Sequence, residues 1–328
     1  MSLPEILTRP LSVPVIASPM FIASGKELVK AQCQSGIVGS FPTLNARPAE
    51  ELADWFDEIN EENAAFAAAN PDQPVGPLAA NLIVHRTNDR LEHDLEVVVD
   101  KKVPIVITSL GAREDVYEAV QSYGGIVLHD IINNTFAHKA IDKGADGLIA
   151  VAAGAGGHAG ALSPFALVQE IREWFDGPLA LSGAMAHGRS VFAAQAMGAD
   201  FGYVGSAFLS TPEANVADGY RQMVVDSSAS DIVYSNLFTG VHGNYLSGSI
   251  RNAGLDPQNL EVSDPSKMTF GSDRDQKKPK AWKEIWGSGQ GIGTIKSSVS
   301  TREFVATLAQ QYRDARAAML DGALVGSA

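Results

Sequence analysis

Asp146-Gly-Leu-Ile-Ala-Val-Ala-Ala-Gly-Ala-Gly-Gly-His-Ala-Gly160 joins a short apolar run, residues 147–151, to a loop of small residues that carries one histidine. An uninterrupted apolar run of this length, bounded by turn residues, reads as a strand buried on both faces, as in parallel sheets with helical crossovers. The Gly-rich loop at its end lets backbone approach a flat ligand closely, and it sets His158 where an acid, a base or a hydrogen-bond donor faces that ligand. A tight turn with a bystander histidine would look the same in isolation, so the rest of the chain has to decide.

The same unit recurs along the chain. Apolar runs at 13–18, 37–41, 78–82, 104–108, 125–129, 147–151, 178–182 and 201–205 are each followed by Gly, Pro, Asn or Ser. Between them lie helix-period segments, clearest at 48–68, 113–122, 135–143, 164–174 and 189–197. Eight such units predict an α/β fold of the closed (β/α)8 or TIM-barrel type. The competing doubly wound sheet is disfavoured because no Gly-x-Gly-x-x-Gly follows the first strand, where the chain reads Pro19-Met-Phe-Ile-Ala-Ser-Gly25.

After the eighth strand the periodicity breaks, and residues 228–280 read as a smaller inserted lobe. Tyr234, Phe238, His242, Tyr245 and Met268 lie in it, and packing of a satellite core is favoured over lining of a cavity. Residues 272–280 read as an exposed connector, and 301–321 as an amphipathic helix with Phe304, Leu308, Tyr312, Ala315 and Leu320 on one face. The expected organisation is a cofactor-binding barrel over 1–227, a lobe with a second Gly-rich loop over 228–292, and a C-terminal helix packing back on the barrel over 293–328.

Composition narrows the function classes. A chain of 328 residues with 45% hydrophobic content can bury one large core, and a net charge of −13 argues against nucleic acid or an anionic membrane surface as partner. The one cysteine, Cys33, falls in the helix-like run 27–34 and reads as a buried thiol, so neither a disulfide nor a metal centre is expected. Residues 1–10 lack the pattern of a targeting segment, and no apolar stretch of about 18 residues occurs, which reads as a cytoplasmic protein. The lobe and the C-terminal helix each offer a face for a homodimer.

In such a barrel, function gathers at the carboxyl ends of the strands. Ser182-Gly-Ala184 and Gly205-Ser206 are paired turns of small residues, the arrangement that holds a phosphate through backbone amides, with the chain leading into a helix. Ser18-Pro-Met20 and Asn81 lie at other strand ends, where an Asn side chain can read the edge of a heteroaromatic ring and a Met can cover its face. His129-Asp130 and Trp286-Gly-Ser-Gly-Gln-Gly291 complete the set. Together they describe a slot for a phosphorylated flat cofactor with His158 on its rim. His85, His93, His138 and His187 lack that setting and read as solvent-facing or helix-terminal, and His242 is undecided.

These motifs resemble the nitronate monooxygenase family, formerly 2-nitropropane dioxygenases, FMN-binding TIM barrels related to flavin-dependent enoyl-ACP reductases. The resemblance spans nearly the whole chain and is carried by Pro14-Val-Ile-Ala-Ser-Pro-Met20, Asn81, Ala155-Gly-Gly-His-Ala-Gly160, Ser182-Gly-Ala184 before Gly188-Arg189, Gly205-Ser-Ala-Phe-Leu209 and Trp286 to Gly291. It implies that Ala17, Ser18, Pro19, Met20 and Asn81 contact the isoalloxazine, with His129, Ala155, Gly156, Gly157 and Ser182 also at the cofactor. It implies that Gly183, Ala184, Gly205 and Ser206 hold the FMN phosphate, that Gln290 lies near the flavin, and that His158 is the active-site histidine. The family's Gln-Gly-x-Glu is replaced here by Val151-Ala-Ala-Gly154, and its Gly-Thr-Arg-Phe by Gly205-Ser-Ala-Phe208, so FMN binding through amides is retained while the substrate subclass stays open.

The activity implied is oxidation of an alkyl nitronate by O2 to a carbonyl compound and nitrite, with His158 as base or anion-stabilising donor. The runner-up is an NAD(P)H-dependent flavin reductase of quinones or enones, and a binding barrel without chemistry is the third reading.

Overall fold

The computed structural model describes residues 3–263 and 284–320. Its strands are β1 (Val15–Ala17), β2 (Gly39–Pro42), β3 (Leu78–Ile83), β4 (Ile105–Ser109), β5 (Ile126–Ile131), β6 (Gly147–Val151), β7 (Gly157–His158), β8 (Leu179–Ser182), β9 (Phe201–Val204), β10 (Ile232–Ser235) and β11 (Gly243–Leu246). Eight of them form a parallel sheet in the order β1-β9-β8-β6-β5-β4-β3-β2. A parallel bridge between Ile16 and Val38 closes it into a barrel, with Ala17 N donating to Val38 O at 2.8 Å. The expected (β/α)8 architecture is therefore the one that forms.

Both faces of these strands are apolar because both are covered. Ile16, Val38, Ile105, Ile107, Leu128, Ile149 and Phe201 fill the lumen, with Leu7 from the N-terminal segment buried in the same cluster. Val15, Leu82, Val106, Val127, Ile131, Leu148 and Leu181 pack outward against the helices. Each fully buried side chain of this kind contributes roughly 1.5–3 kcal/mol, which favours covering both faces over exposing either.

The helices follow the barrel strands, among them Leu52–Ala69, Leu91–Asp100, Glu114–Gln121, Asn134–Asp142, Pro164–Arg172 and Gly188–Met197. Local signals set their ends: the Asn133 side chain accepts from Phe136 N at 3.0 Å to cap the fourth, and Gly198 takes φ 113° to end the last. Cys33 is buried in the helix Lys26–Gln34. The helix Thr301–Leu320 returns to the barrel, crossing where Gly188 leaves no room for a Cβ, which would lie 2.2 Å from Tyr312 N. Val305, Leu308 and Ala315 are buried on that contact, whereas Leu320, expected on the same face, is 74% exposed.

The lobe is a small antiparallel sheet in the order β10-β11-β7, so the glycine loop after β6 supplies one of its strands. Its residues divide between two roles. Phe238 and Tyr245 pack a satellite core with Ile250 and Ile285, while Tyr234 and His242 line the cavity at the barrel mouth. Met268 and the connector 272–280 lie outside the described residues.

Candidate active site

A cavity of about 1030 Å3 lies at the carboxyl ends of the barrel strands and is roofed by the lobe. Ligand pockets commonly reach about 1,000 Å3, so this one can take a mononucleotide cofactor and a second molecule. Ser18, Pro19, Met20, Asn81, Ala155, Gly156, Gly157, His158, Ser182, Gly183, Ala184, Gly205 and Ser206 all border it.

On one side the wall is backbone. Gly183 has φ 139°, and a Cβ there would stand 2.8 Å from Ala153 O. A Cβ on Gly205 would come 3.1 Å from Ser18 Cβ, and one on Gly156 would meet Ser206 Oγ at 2.5 Å and Gly289 N at 2.8 Å. The turns at 156 and 183 therefore close only as glycines, and the one at 205 leaves little room for a Cβ. The helix that follows the turn at 183 adds little for a phosphate: Gly188 N already donates to Gln311 Oε1 at 3.0 Å and Arg189 N to His187 Nδ1 at 3.1 Å. Of the two turns Gly183-Ala184 and Gly205-Ser206, the first also has an amide committed, Ala184 N donating to Gly154 O at 3.1 Å.

The loop Trp286 to Gly291 ties these parts together. Gly289 N donates to Ser206 Oγ at 2.8 Å, Gln290 N to Gly154 O at 2.9 Å, and Ser288 N to Asn244 O at 3.1 Å. Trp286 stacks on Tyr220 with ring centroids 4.9 Å apart, and both rings border the cavity.

His158 sits on β7, in register with Gly243 of β11. Ala159 N donates to His242 O at 3.1 Å, Tyr234 OH to Ala159 O at 3.0 Å, and Asn244 Nδ2 to Ala155 O at 2.6 Å, so the lobe fixes the backbone around the imidazole. His158 Nε2 lies 3.0 Å from Thr239 Oγ1, whose proton goes to Val241 O at 3.0 Å. The Thr239 hydroxyl thus reaches both Nε2 and Val241 O, and the direction of its bond to the imidazole follows the ring's tautomer. Burial pushes the imidazole down to about 4, so the ring is neutral at physiological pH.

Three expectations need correction. Ala17 does not reach the cavity: its N–H bonds Val38 O, and its carbonyl accepts from Ser40 Oγ at 2.5 Å. Gln290 lies against the glycine loop through its backbone N–H and through its side chain, whose Oε1 would stand 3.1 Å from a Cβ on Gly154, but the residue is exposed and does not border the cavity. His129 borders the cavity with its imidazole committed elsewhere, Nδ1 meeting Thr108 Oγ1 at 2.7 Å and Tyr117 OH at 3.0 Å. Val127 and Ile131, which share its face of β5, pack against the helices. Asn81 also has less to offer than expected, because Nδ2 donates to Ile107 O at 3.0 Å and to Ser109 Oγ at 2.9 Å. Its Oδ1 is what remains for a ligand.

Asp130, which the sequence places at a strand end without a role, is joined at the cavity by residues that sequence reasoning passed over. Asp130 projects from β5 on the lumen face shared with Leu128, and Tyr203 and Ser109 border the same space. His85, read as peripheral, is half-buried at the end of β3 and borders the cavity too. Alternation along β5 separates His129 from Asp130, but with both faces of the strand apolar it does not say which face is the lumen.

The nitronate monooxygenase family model matches residues 7–311. A nitronate monooxygenase from Paraburkholderia phytofirmans is 26% identical over 282 residues, covering 76% of this chain and 77% of the relative. Among solved structures, FabK from Thermotoga maritima superposes with a TM-score of 0.74 at 20% identity, covering 97% of both chains. A nitroalkane oxidase from Streptomyces ansochromogenes superposes with a TM-score of 0.75 at 20% identity, covering 95% of this chain and 98% of that one. These two likenesses establish the barrel fold, and the family match adds the chemistry: the chain belongs to the nitronate monooxygenase family of flavin-dependent oxidoreductases.

Proposed function

We propose that this protein binds FMN at the barrel mouth and with it oxidises alkyl nitronates by O2 to a carbonyl compound and nitrite. The observation that carries the reading is the neutral imidazole of His158, fixed by the lobe sheet on the wall of the cavity that the glycine turns at 183 and 205 also border. Bound FMN supplies the electron transfer and oxygen chemistry that no side chain offers. The glycine turns admit the phosphate without a cationic side chain, and Asn81 Oδ1 is the acceptor left for the N–H edge of a ring. The neutral imidazole of His158 takes the α-proton of a nitroalkane, and in that role the depressed basicity keeps the base unprotonated across the physiological range.

A second reading, reduction of a quinone or enone by NAD(P)H, is favoured by one feature. Ile132 and Phe136 border the cavity while 40% and 46% exposed, an apolar lip that a small nitroalkane does not need. Anaerobic rapid mixing of the FMN-loaded protein with ethyl nitronate, NADH and NADPH tests both. A flavin absorbance change with the nitronate alone supports the proposal, and bleaching by NADH or NADPH with no response to the nitronate overturns it in favour of the reductase.

A further inference from the structure

The end of β5 holds a carboxyl group that the nitronate reading does not use. Asp130 borders the cavity from the lumen side of the strand, and its Oδ2 accepts from Ser109 Oγ at 2.6 Å. Ser109 Oγ in turn accepts from Asn81 Nδ2 at 2.9 Å. An amide NH2 only donates, so the serine proton is directed to Oδ2, and the three side chains form a one-way relay across β3, β4 and β5. Oδ1 is buried and has no hydrogen-bond partner among the described residues. A buried carboxylate oxygen left in that state is costly, and the cost is relieved when the group carries a proton.

We propose that Asp130 is a positioning residue for the cofactor ring: held by Ser109 and Asn81, it takes up and releases one proton beside the ring and so sets how readily bound FMN is reduced. The inference rests on the reading that FMN occupies this cavity. Two-electron reduction adds negative charge to the ring; a neutral carboxyl group tolerates that charge, and a carboxylate opposes it. Burial pushes Asp130 up to about 7 against the opposing pull of the Ser109 hydrogen bond, so the switch falls within the working pH range.

The groups around Asp130 leave that range to it. Its register partner on β6 is Ile149, and Val151 on the same strand is apolar. Tyr203, on β9, has its phenol raised well above the usual value by burial and by the charge of Asp130. His158, beyond the end of β6, and His129, on the other face of β5, are both pushed down to about 4 by burial. His85, at the end of β3, is lowered by burial and by Arg86, and Lys139 on the helix after β5 brings an ammonium to the rim.

The test is the midpoint potential of bound FMN against pH, measured by dye equilibration on wild-type protein, Asp130→Asn and Ser109→Ala. Between about pH 6 and pH 8 the preference of wild type for oxidised over reduced FMN grows about tenfold more than that of Asp130→Asn, an additional fall of about 30 mV for a two-electron couple. Ser109→Ala moves the inflection to higher pH, because the hydrogen bond it removes favours the carboxylate. FMN binding by fluorescence quenching at pH 6 is read first, and absence of binding to wild type defeats the cofactor reading itself. Binding with the same pH slope in wild type and Asp130→Asn overturns the proposal. Should Asp130→Asn fail to fold, the carboxyl 13C resonance of Asp130 in wild-type apoprotein decides: titration near neutrality supports the inference, and titration in the ordinary carboxylate range refutes it.

Discussion

β5 and the glycine loop after β6 each carry a buried histidine, and burial pushes both imidazoles down to about 4. Their surroundings differ. His129 is enclosed by Thr108 and Tyr117 between barrel and helices, whereas His158 stands in a short strand that the lobe holds against the cavity. A depressed imidazole therefore reports burial, and the face of the strand together with the partner set decides whether the ring serves the fold or the chemistry.

The sharpest way to break this comparison is to remove each ring in turn. His158→Asn is expected to lower turnover of neutral nitroalkanes by about 10²–10⁴-fold, the usual loss for a general base, while turnover of preformed nitronates, which carry no such proton, falls far less and the melting temperature is little changed. His129→Leu should do the reverse: turnover stays within a few-fold, while stability falls by about 1–3 kcal/mol because the Thr108 and Tyr117 hydroxyls lose a buried partner. Denaturant unfolding and steady-state oxygen uptake on the same preparations would expose an error if His129→Leu abolished turnover at unchanged stability.

The backbone side of the site gives the next effect. Gly183→Ala forces a Cβ to within 2.8 Å of Ala153 O at φ 139°, so it is expected to cost about 1–3 kcal/mol and to weaken FMN binding, read by thermal unfolding and flavin fluorescence.

Acid sensitivity sharpens the comparison further. Both imidazoles have folded pKa values below the unfolded value of 6.5, so the stability they carry is present above pH 6.5 and is lost as pH falls toward 4, where the unfolded chain binds protons that the folded barrel refuses. Asp130 acts with the opposite sign, since its folded pKa is raised from 3.8 to about 7: its contribution is present below 3.8 and is lost as pH rises through about 7. Urea unfolding at a series of pH values should show His129→Leu flattening the acid limb and Asp130→Asn flattening the loss toward neutral pH.

The smallest effect belongs to Thr239→Val. Removing the hydroxyl that hydrogen-bonds Nε2 of His158 loosens the ring without deleting it, and a loss of about 0.5–1.5 kcal/mol corresponds to a few-fold to tenfold fall in turnover.

Much of the site was legible before folding. The glycines at 156 and 183 are places where a Cβ would collide, and a Gly-Gly-His after an apolar run marks the end of a barrel strand. The strand-end pair His129-Asp130 points to the site, but the pattern favours His129 as the cofactor contact and assigns Asp130 no role. Gln290 meets the glycine loop with its backbone N–H on Gly154 O and with its amide oxygen over Gly154, yet it stays outside the cavity lining.

By itself the sequence determined eight apolar runs spaced for helical crossovers, turns of small residues at their ends, and one histidine in the Gly-rich loop, because local periodicity and backbone freedom are properties of neighbouring residues. Only the tertiary structure decided that Asp130 faces the lumen and His129 the helices, since closure of the barrel covers both sides of a strand with equally apolar surroundings. It also decided that Gly157 and His158 pair with Gly243 and Asn244, a contact between segments far apart in the chain whose formation depends on the whole fold and leaves no periodic mark in either segment.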